Sequence, residues 1–309
     1  MAENIEYPGR NNELALSEVV DFILLLGVLV AAFALWMIYI VPANGREEEI
    51  TQMNAVKDRF TDYKISLDSL WVNSPSGASW SQSGVTLSTS MNLGTGGGNT
   101  QVSGLFLPML NPIASSAVLS VKDNGDTMTV TSNGPSGPVS KTYPMSILEY
   151  KSQNYYWIQQ TYYYQTGGVF LYQDNGSICR ISPPISFVSN DLSTKSVTIT
   201  PIRLYGVGSM GGNGPVRIDT RLRNLNQTEQ ITVQNSWVNV SVKVSDYNAA
   251  RMWLDVFNTT RRNGQIFTIA PTEFGISPAG SSPATAFMNI STHVRLRPDY
   301  YPFNLFNNV

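Results

Sequence analysis

Charge is scarce in this chain: Asp, Glu, Lys and Arg make up only 14% of its 309 residues, against about 25% in an ordinary soluble domain. Ser, Thr, Asn, Gln and Gly fill the gap, a composition that suits a surface exposed outside a cell. The formal net charge is −2. No basic excess is available to neutralise phosphates, so nucleic acid is excluded as a partner. Cys179 is the single cysteine, which excludes an intrachain disulfide. His293 is the single histidine, so no His/Cys zinc set can form. A Ser-His-Asp triad would have to centre on His293, and no nucleophile elbow accompanies it. The glycine-rich "GVGSMGGNGP" lacks the Lys-Ser/Thr of a phosphate loop. Asp123 and Asp126 lack the surroundings of a calcium loop and read as flanks of a turn. The expectation is therefore a chain with no catalytic, cofactor-binding or metal residue. An extracellular enzyme ranks behind the two non-enzymatic readings given below.

What the sequence does contain is one long apolar run. From Phe22 to Val41 no residue is charged, which is the length that crosses about 30 Å of hydrocarbon. A cleaved secretory signal would have an apolar stretch of roughly 7–15 residues behind a basic region. Here the stretch is longer, and the tail before it carries Glu3, Glu6 and Glu13 against Arg10. The run reads as a retained helix over 17–41. Pro42 should end or kink it, with Asn44 and Gly45 completing a hinge over 42–45. A second helical pattern continues to residue 72, with apolar residues at Ile50, Met53, Val56, Phe60, Tyr63, Leu67 and Leu70. Spacings of three and four draw one stripe. Two partners fit that stripe, the chain's own globular domain and neighbouring chains. Glu18 and Asp21 stand at the start of the apolar run, where the first turn of a helix favours negative charge.

Beyond residue 73 the pattern turns to strands and loops. "AVLSVKDNGDTMTVT" reads as a hairpin turning on Asn124-Gly125, with Val121 facing Met128 and Leu119 facing Val130. "GVFLYQDNGSICRI" reads as a second, turning on Asn175-Gly176 and pairing Tyr172 with Cys179, a cysteine expected to be buried and inert. Alternation places Val238, Val240, Val242 and Val244 on one face, and Met288, Ile290, Val294 and Leu296 on one face of a single strand. In "VRIDTRLRN" the apolar Val216, Ile218 and Leu222 oppose charged residues. "SDYNAARMWLDVF" reads as a helix capped by Ser245 or Asp246, with Ala249, Trp253 and Phe257 on one side. The glycine-rich stretches 94–98 and 206–214 read as loops. "NYYWIQQTYYYQ" reads as aromatic strand, half in the core, rather than as a carbohydrate platform. Asn-x-Ser/Thr sequons, where N-glycans can be attached, occur at Asn175, Asn226, Asn239, Asn258 and Asn289. Asn239 and Asn289 fall on polar strand faces that could carry a glycan, and Asn175 falls in a tight turn.

The fold class that follows is α+β: a long N-terminal hydrophobic, then amphipathic α-helix followed by an antiparallel β-sandwich-like globular domain. The expected divisions are a tail or leader over 1–16, the long helix over 17–72, and a β-rich extracellular head over 73–309.

"LSEVVDFILLLGVLV" resembles the N-terminus of archaeal type IV pilin-like proteins, in the superfamily that includes archaellins. The match falls on Ser17, Glu18, Val19, Val20 and Asp21. "LEYKSQNYYWIQQTYYYQTGGVFLYQDNG", "LYGVGSMGGNG" and "SDYNAARMWLDVF" add weaker echoes of a long-chain pilin-like group. The resemblance implies a helix held in the membrane before assembly, then bundled with copies of itself in the core of a surface filament, heads outside, for adhesion. It implies subunit packing through Glu18, Asp21, Phe22, Leu25, Leu29, Phe33, Trp36, Ile40, Met53, Val56, Phe60 and Tyr63. It also implies that a peptidase trims the precursor just before the apolar helix, which would make Glu18 the fifth mature residue after a cut before Leu14. The residues before Leu14 are Asn11, Asn12 and Glu13, in place of the basic and small residues such precursors carry there. The alternative reading is a single-pass membrane-anchored surface protein (adhesin, receptor or assembly component) that does not polymerise.

Overall fold

A computed structural model of the chain describes residues 10–72, 86–95, 111–134, 137–189, 194–222, 237–263, 274–290, 293–298 and 301–306. Residues 1–9 of the expected tail, the start of the expected head at 73–85, most of the glycine stretch 94–98, and Asn226 lie outside the described residues.

The N-terminal helix does not stop at Pro42. Helix α1 (Arg10–Leu35) passes through a π-helical turn, Trp36–Ile40, into α2 (Val41–Val72). The hinge expected at Pro42 and Gly45 is absent. Pro42 has no N–H for the carbonyl four residues back, and its ring crowds that carbonyl. The chain answers one turn earlier: the Val41 N–H reaches the Trp36 carbonyl, five residues back. The widened turn takes up the misfit and the rod continues. Gly45 is small for a different reason. A Cβ there would lie 2.4 Å from the Tyr156 ring, so this is where the head meets the helix backbone. Glu18 and Asp21 also move in register. The helix is already formed at Arg10, so they do not occupy its first turn.

Two of the long strands carry most of the head. Strands β1 (Thr86–Asn92), β2 (Ser116–Gly134), β3 (Gly137–Gln153), β4 (Gln160–Gln165), β5 (Gly168–Gln173) and β6 (Gly176–Ile181) come first. Then follow β7 (Ile185–Ser189), β8 (Thr194–Ile199), β9 (Ile202–Tyr205), β10 (Gly208–Gly212), β11 (Pro215–Leu222) and β12 (Val238–Val244). After helix α3 (Tyr247–Asn263) come β13 (Phe274–Ser277), β14 (Ala284–Ile290), β15 (His293–Pro298) and β16 (Tyr301–Phe306). Among the described residues the main sheet has nine strands, ordered β13-β14-β12-β2-β3-β4-β5-β6 with β10 also on β2. A four-stranded sheet, β1-β11-β16-β9, and a three-stranded one, β15-β8-β7, complete the head. Pairing is mostly antiparallel, with parallel exceptions at β15–β8 and β16–β9.

The hairpin expected at Asn124-Gly125 does not form. Strand β2 runs straight on, paired to β3 from Ser116↔Gln153 to Gly134↔Gly137, and the Asn-Gly pair becomes a bulge between Asp123 and Asp126. Gly125 still uses its positive φ of 73°, but to bend a strand rather than reverse it. The bulge is also a fork. On its open edge β2 takes β10 over 117–121 and β12 over 127–132.

The bulge hands the strand from one core to another. Before it, Leu119 and Val121 join Leu148, Tyr150, Tyr162, Tyr164 and Leu171 around α2. After it, Met128 and Val130 join Tyr143, Met145, Phe170 and the four valines of β12 around α3. Strands β4 and β5 feed both cores from opposite faces, which is why Tyr162 to Tyr164 and Val169 to Leu171 are all buried. The same first core settles the partner of the amphipathic stripe. Met53, Val56, Phe60 and Tyr63 were expected among the subunit contacts; they are buried in the chain's own head, together with Leu67. Phe60 packs on Tyr162, and Tyr63 meets Tyr164 edge-on at 5.6 Å. The α2 helix is thus part of the head, and residue 73 does not separate two folding units.

Other expectations fared unevenly. Helix α3 forms, with the Asp246 carboxylate accepting the Ala249 N–H, and Ala250, Trp253, Val256 and Phe257 buried. Val238, Val240, Val242 and Val244 share a buried face. The β5–β6 turn sits one residue earlier than expected, so Cys179 faces Phe170 instead of Tyr172. Cys179 is half-buried, and burial pushes its thiol up to about 12. Residues 208–212, expected in a loop, form an edge strand paired to β2, with Met210 packed against the first core. Met288–Leu296 is not one strand: β14 and β15 belong to different sheets.

Candidate functional site

Among the described residues, the bare half of the helix is an apolar surface that the chain itself does not cover. Side chains from Ser17 to Ile40 are all exposed, and the segment has the length and composition to cross a membrane. Phe22, Leu25, Leu29, Phe33, Trp36 and Ile40 lie within it. The segment is apolar all round rather than striped. Soluble proteins rarely leave an apolar surface of this size uncovered. Glu18 and Asp21 are the acidic residues at its N-terminal end, three positions apart and so on neighbouring parts of one face.

Burial begins abruptly at Val41 and Gly45. The reason is one residue that composition alone gives no hint of. Glu49 is one of three adjacent glutamates, Glu47 to Glu49. It is 1% exposed, and its carboxylate accepts three consecutive backbone N–H groups: Tyr155 at 2.6 Å, Tyr156 at 2.8 Å and Trp157 at 2.5 Å. Those groups belong to the loop 154–159 between β3 and β4. The loop is further closed on itself. The Asn154 amide donates to the Ile158 carbonyl at 2.9 Å, and the Gln159 amide donates to the Asn154 carbonyl at 2.6 Å. The Tyr156 hydroxyl accepts the Ile113 N–H at 3.1 Å. The Arg46 guanidinium lies 4.5 Å over the Trp157 ring. The aromatic run therefore divides. Tyr162, Tyr163 and Tyr164 enter the cores, while Tyr155, Tyr156 and Trp157 build a rigid loop at the base of the head.

A second polar knot lies inside the head. The Asp126 carboxylate accepts the Ser245 N–H at 2.9 Å and the Gln165 amide at 2.9 Å, and the Gln165 oxygen accepts the Trp253 indole N–H at 3.0 Å. Burial holds the Asp126 carboxyl above the usual range, against the lowering effect of those N–H donors. This knot ties the β2 bulge to the start of α3. Asp123 accepts the Gly125 N–H and an Arg203 N–H instead. Among the described residues no group of three or more His, Cys, Asp and Glu is placed to hold a metal ion.

The sequons are unequal. Asn239 and Asn289 sit directly opposite each other on β12 and β14, half-buried, the first donating its amide to the second. Asn258 is half-buried on α3 and accepts an Arg261 N–H. Asn175, at the β5–β6 turn, is exposed. No protein-family model, no curated protein and no solved structure matches the chain.

Proposed function

We propose that the chain is a structural subunit of an extracellular filament of the archaeal type IV pilus kind. Segment 17–40 would lie in the filament core and the head outside, with the apolar helix held in a membrane before assembly. The observation that carries this reading is the bare apolar half of a helix that runs unbroken from Ser17 to Leu70, 0% of its most apolar window being buried in the chain itself. An apolar helix can exchange lipid for identical neighbours at little hydrophobic cost, so helix packing decides whether it assembles. With Met53 to Tyr63 occupied by the head, candidate subunit contacts narrow to Glu18, Asp21, Phe22, Leu25, Leu29, Phe33, Trp36 and Ile40.

The same bare helix also fits a single-pass surface protein that stays in the membrane. Cysteine crosslinking along Leu24 to Ala34, on detergent-free material sheared from cells, separates the two. Ladders of crosslinked chains support the filament. Monomer recovered only from membranes sinks it. Glu18→Gln is the finer probe. If the carboxylate pairs with the amine of a neighbour cut before Leu14, the variant inserts normally and fails to assemble, because that buried amine is left without its counter-charge.

A further inference from the structure

We propose that the loop 154–159, with Arg46 and Ile113, is an interfacial anchor that seats the base of the head in the headgroup layer of a lipid bilayer. The inference rests on the reading that Phe22–Val41 spans a membrane, whether before assembly or permanently.

Depth carries the argument. With the hydrocarbon boundary at Val41, Gly45 lies about 6 Å and Glu49 about 12 Å beyond it, at 1.5 Å per residue of helix. The headgroup layer occupies roughly 5–8 Å on each side of the hydrocarbon. Tyr156 packs on Gly45, and Trp157 lies under Arg46. The Tyr156 ring therefore falls within that layer, where the amphipathic rings of Tyr and Trp are favoured, and Trp157 follows it in the same loop.

Exposure points the same way. Tyr155 is 63% exposed, Ile158 43% and Ile113 60%. These tips are not loose. Three N–H groups on Glu49 and the Asn154–Gln159 pair hold the loop backbone, so its apolar tips are presented outward by a fixed frame. In water that arrangement costs hydrophobic free energy, and in the headgroup layer it regains it. Local charge decides the lipid class. Arg46 is followed by the acidic Glu47 and Glu48, so the site is not a basic patch and has no call on anionic lipid. A zwitterionic bilayer suffices.

The test uses the full chain in phosphatidylcholine vesicles, in a Cys179→Ala background, with a fluorophore on one of three new cysteines. Ile38→Cys reports the apolar helix, Ile158→Cys the loop, and Val139→Cys the far end of β3, roughly 46 Å from Gln153 along an extended strand. Nitroxide quenchers are placed either deep on the acyl chain or on the headgroup. The expected result is deep quenching at Ile38→Cys, headgroup quenching at Ile158→Cys, and neither at Val139→Cys. Deep quenching at Ile38→Cys, with Ile158→Cys no more quenched than Val139→Cys, overturns the anchor and leaves the membrane reading standing. No deep quenching at Ile38→Cys overturns both. Adding Tyr155→Ser and Trp157→Ser should bring quenching at Ile158→Cys down towards the Val139→Cys level without changing Ile38→Cys. These changes leave the Glu49 contacts, which are to backbone, in place.

Discussion

Glu49 does for the loop 154–159 what a strand would do for a straight segment: it gives three successive backbone N–H groups an acceptor. Leaving such groups buried and unpaired costs about 1–3 kcal/mol each, less where water can enter. Glu49→Ala should therefore lower the stability of the head by ~3 kcal/mol, against a change within ~0.5 kcal/mol for the exposed Glu47→Ala. Urea unfolding in detergent micelles measures both. Gly45 offers a prediction of sign. Alanine is favoured over glycine in a helix by ~1 kcal/mol, so at a free or hinging position Gly45→Ala would stabilise. Here the new methyl group would meet the Tyr156 ring, whose hydroxyl is fixed by the Ile113 N–H, and overpacking costs about 1–3 kcal/mol. A net loss of ~1 kcal/mol is expected in the same unfolding experiment. A gain would mean that the ring swings aside freely.

Among the elements, the β2 bulge and the start of α3 are joined through Asp126, whose burial makes that joint a place to test for pH dependence. Burial raises the folded-state value of the Asp126 carboxyl above its ordinary 3.8. The folded chain thus holds this proton more tightly than the unfolded chain. The contribution of Asp126 to stability is greatest when it is protonated, and falls as pH rises from about 3.8 through the folded value. Asn at this position is neutral throughout. The stability of the native chain relative to Asp126→Asn should therefore decline across that window and flatten above it, as read by unfolding at a series of pH values. Elements with local causes were the legible ones. The α3 cap, its i, i+4 apolar residues, the α2 stripe and the β12 valines all declare themselves within a few positions. The Asn124-Gly125 pair did not, because positive φ at Gly125 serves a reversal or a bulge equally well. The choice is made by the 17 residues of β3, which offer β2 a partner along its whole length. Nor did β10, whose Gly-Ser-Met-Gly-Gly sequence has no alternation to read. Glu49 was hidden for a third reason: its nearest loop partner is 106 residues away, so at residue 49 the sequence showed only one of three adjacent glutamates.

For the whole molecule, the division that matters falls near Val41 rather than at residue 73. Ser17 to Ile40 before it are bare, and Met53, Val56, Phe60, Tyr63 and Leu67 after it fill the head's own core. A chain beginning at Val41 should stay folded and monomeric in detergent-free buffer. One beginning at Asn73 loses those five buried side chains, several of them costing about 2–5 kcal/mol each even when only truncated to alanine, and should not fold. Size-exclusion chromatography with circular dichroism distinguishes the outcomes. The unbroken rod has a further consequence, which is angular. A helix advances by about 100° per residue, so a rigid joint fixes which way the head faces around the axis as firmly as it fixes its height. The π-helical turn is in effect one inserted residue. The widened turn absorbs that residue locally, but one residue added to the regular helix on either side of it would raise the head by about 1.5 Å and swing it by about 100° relative to the bare segment. In any bundle of these helices, the residue count of the regular helix between the bare segment and the joint sets the compass bearing of every head.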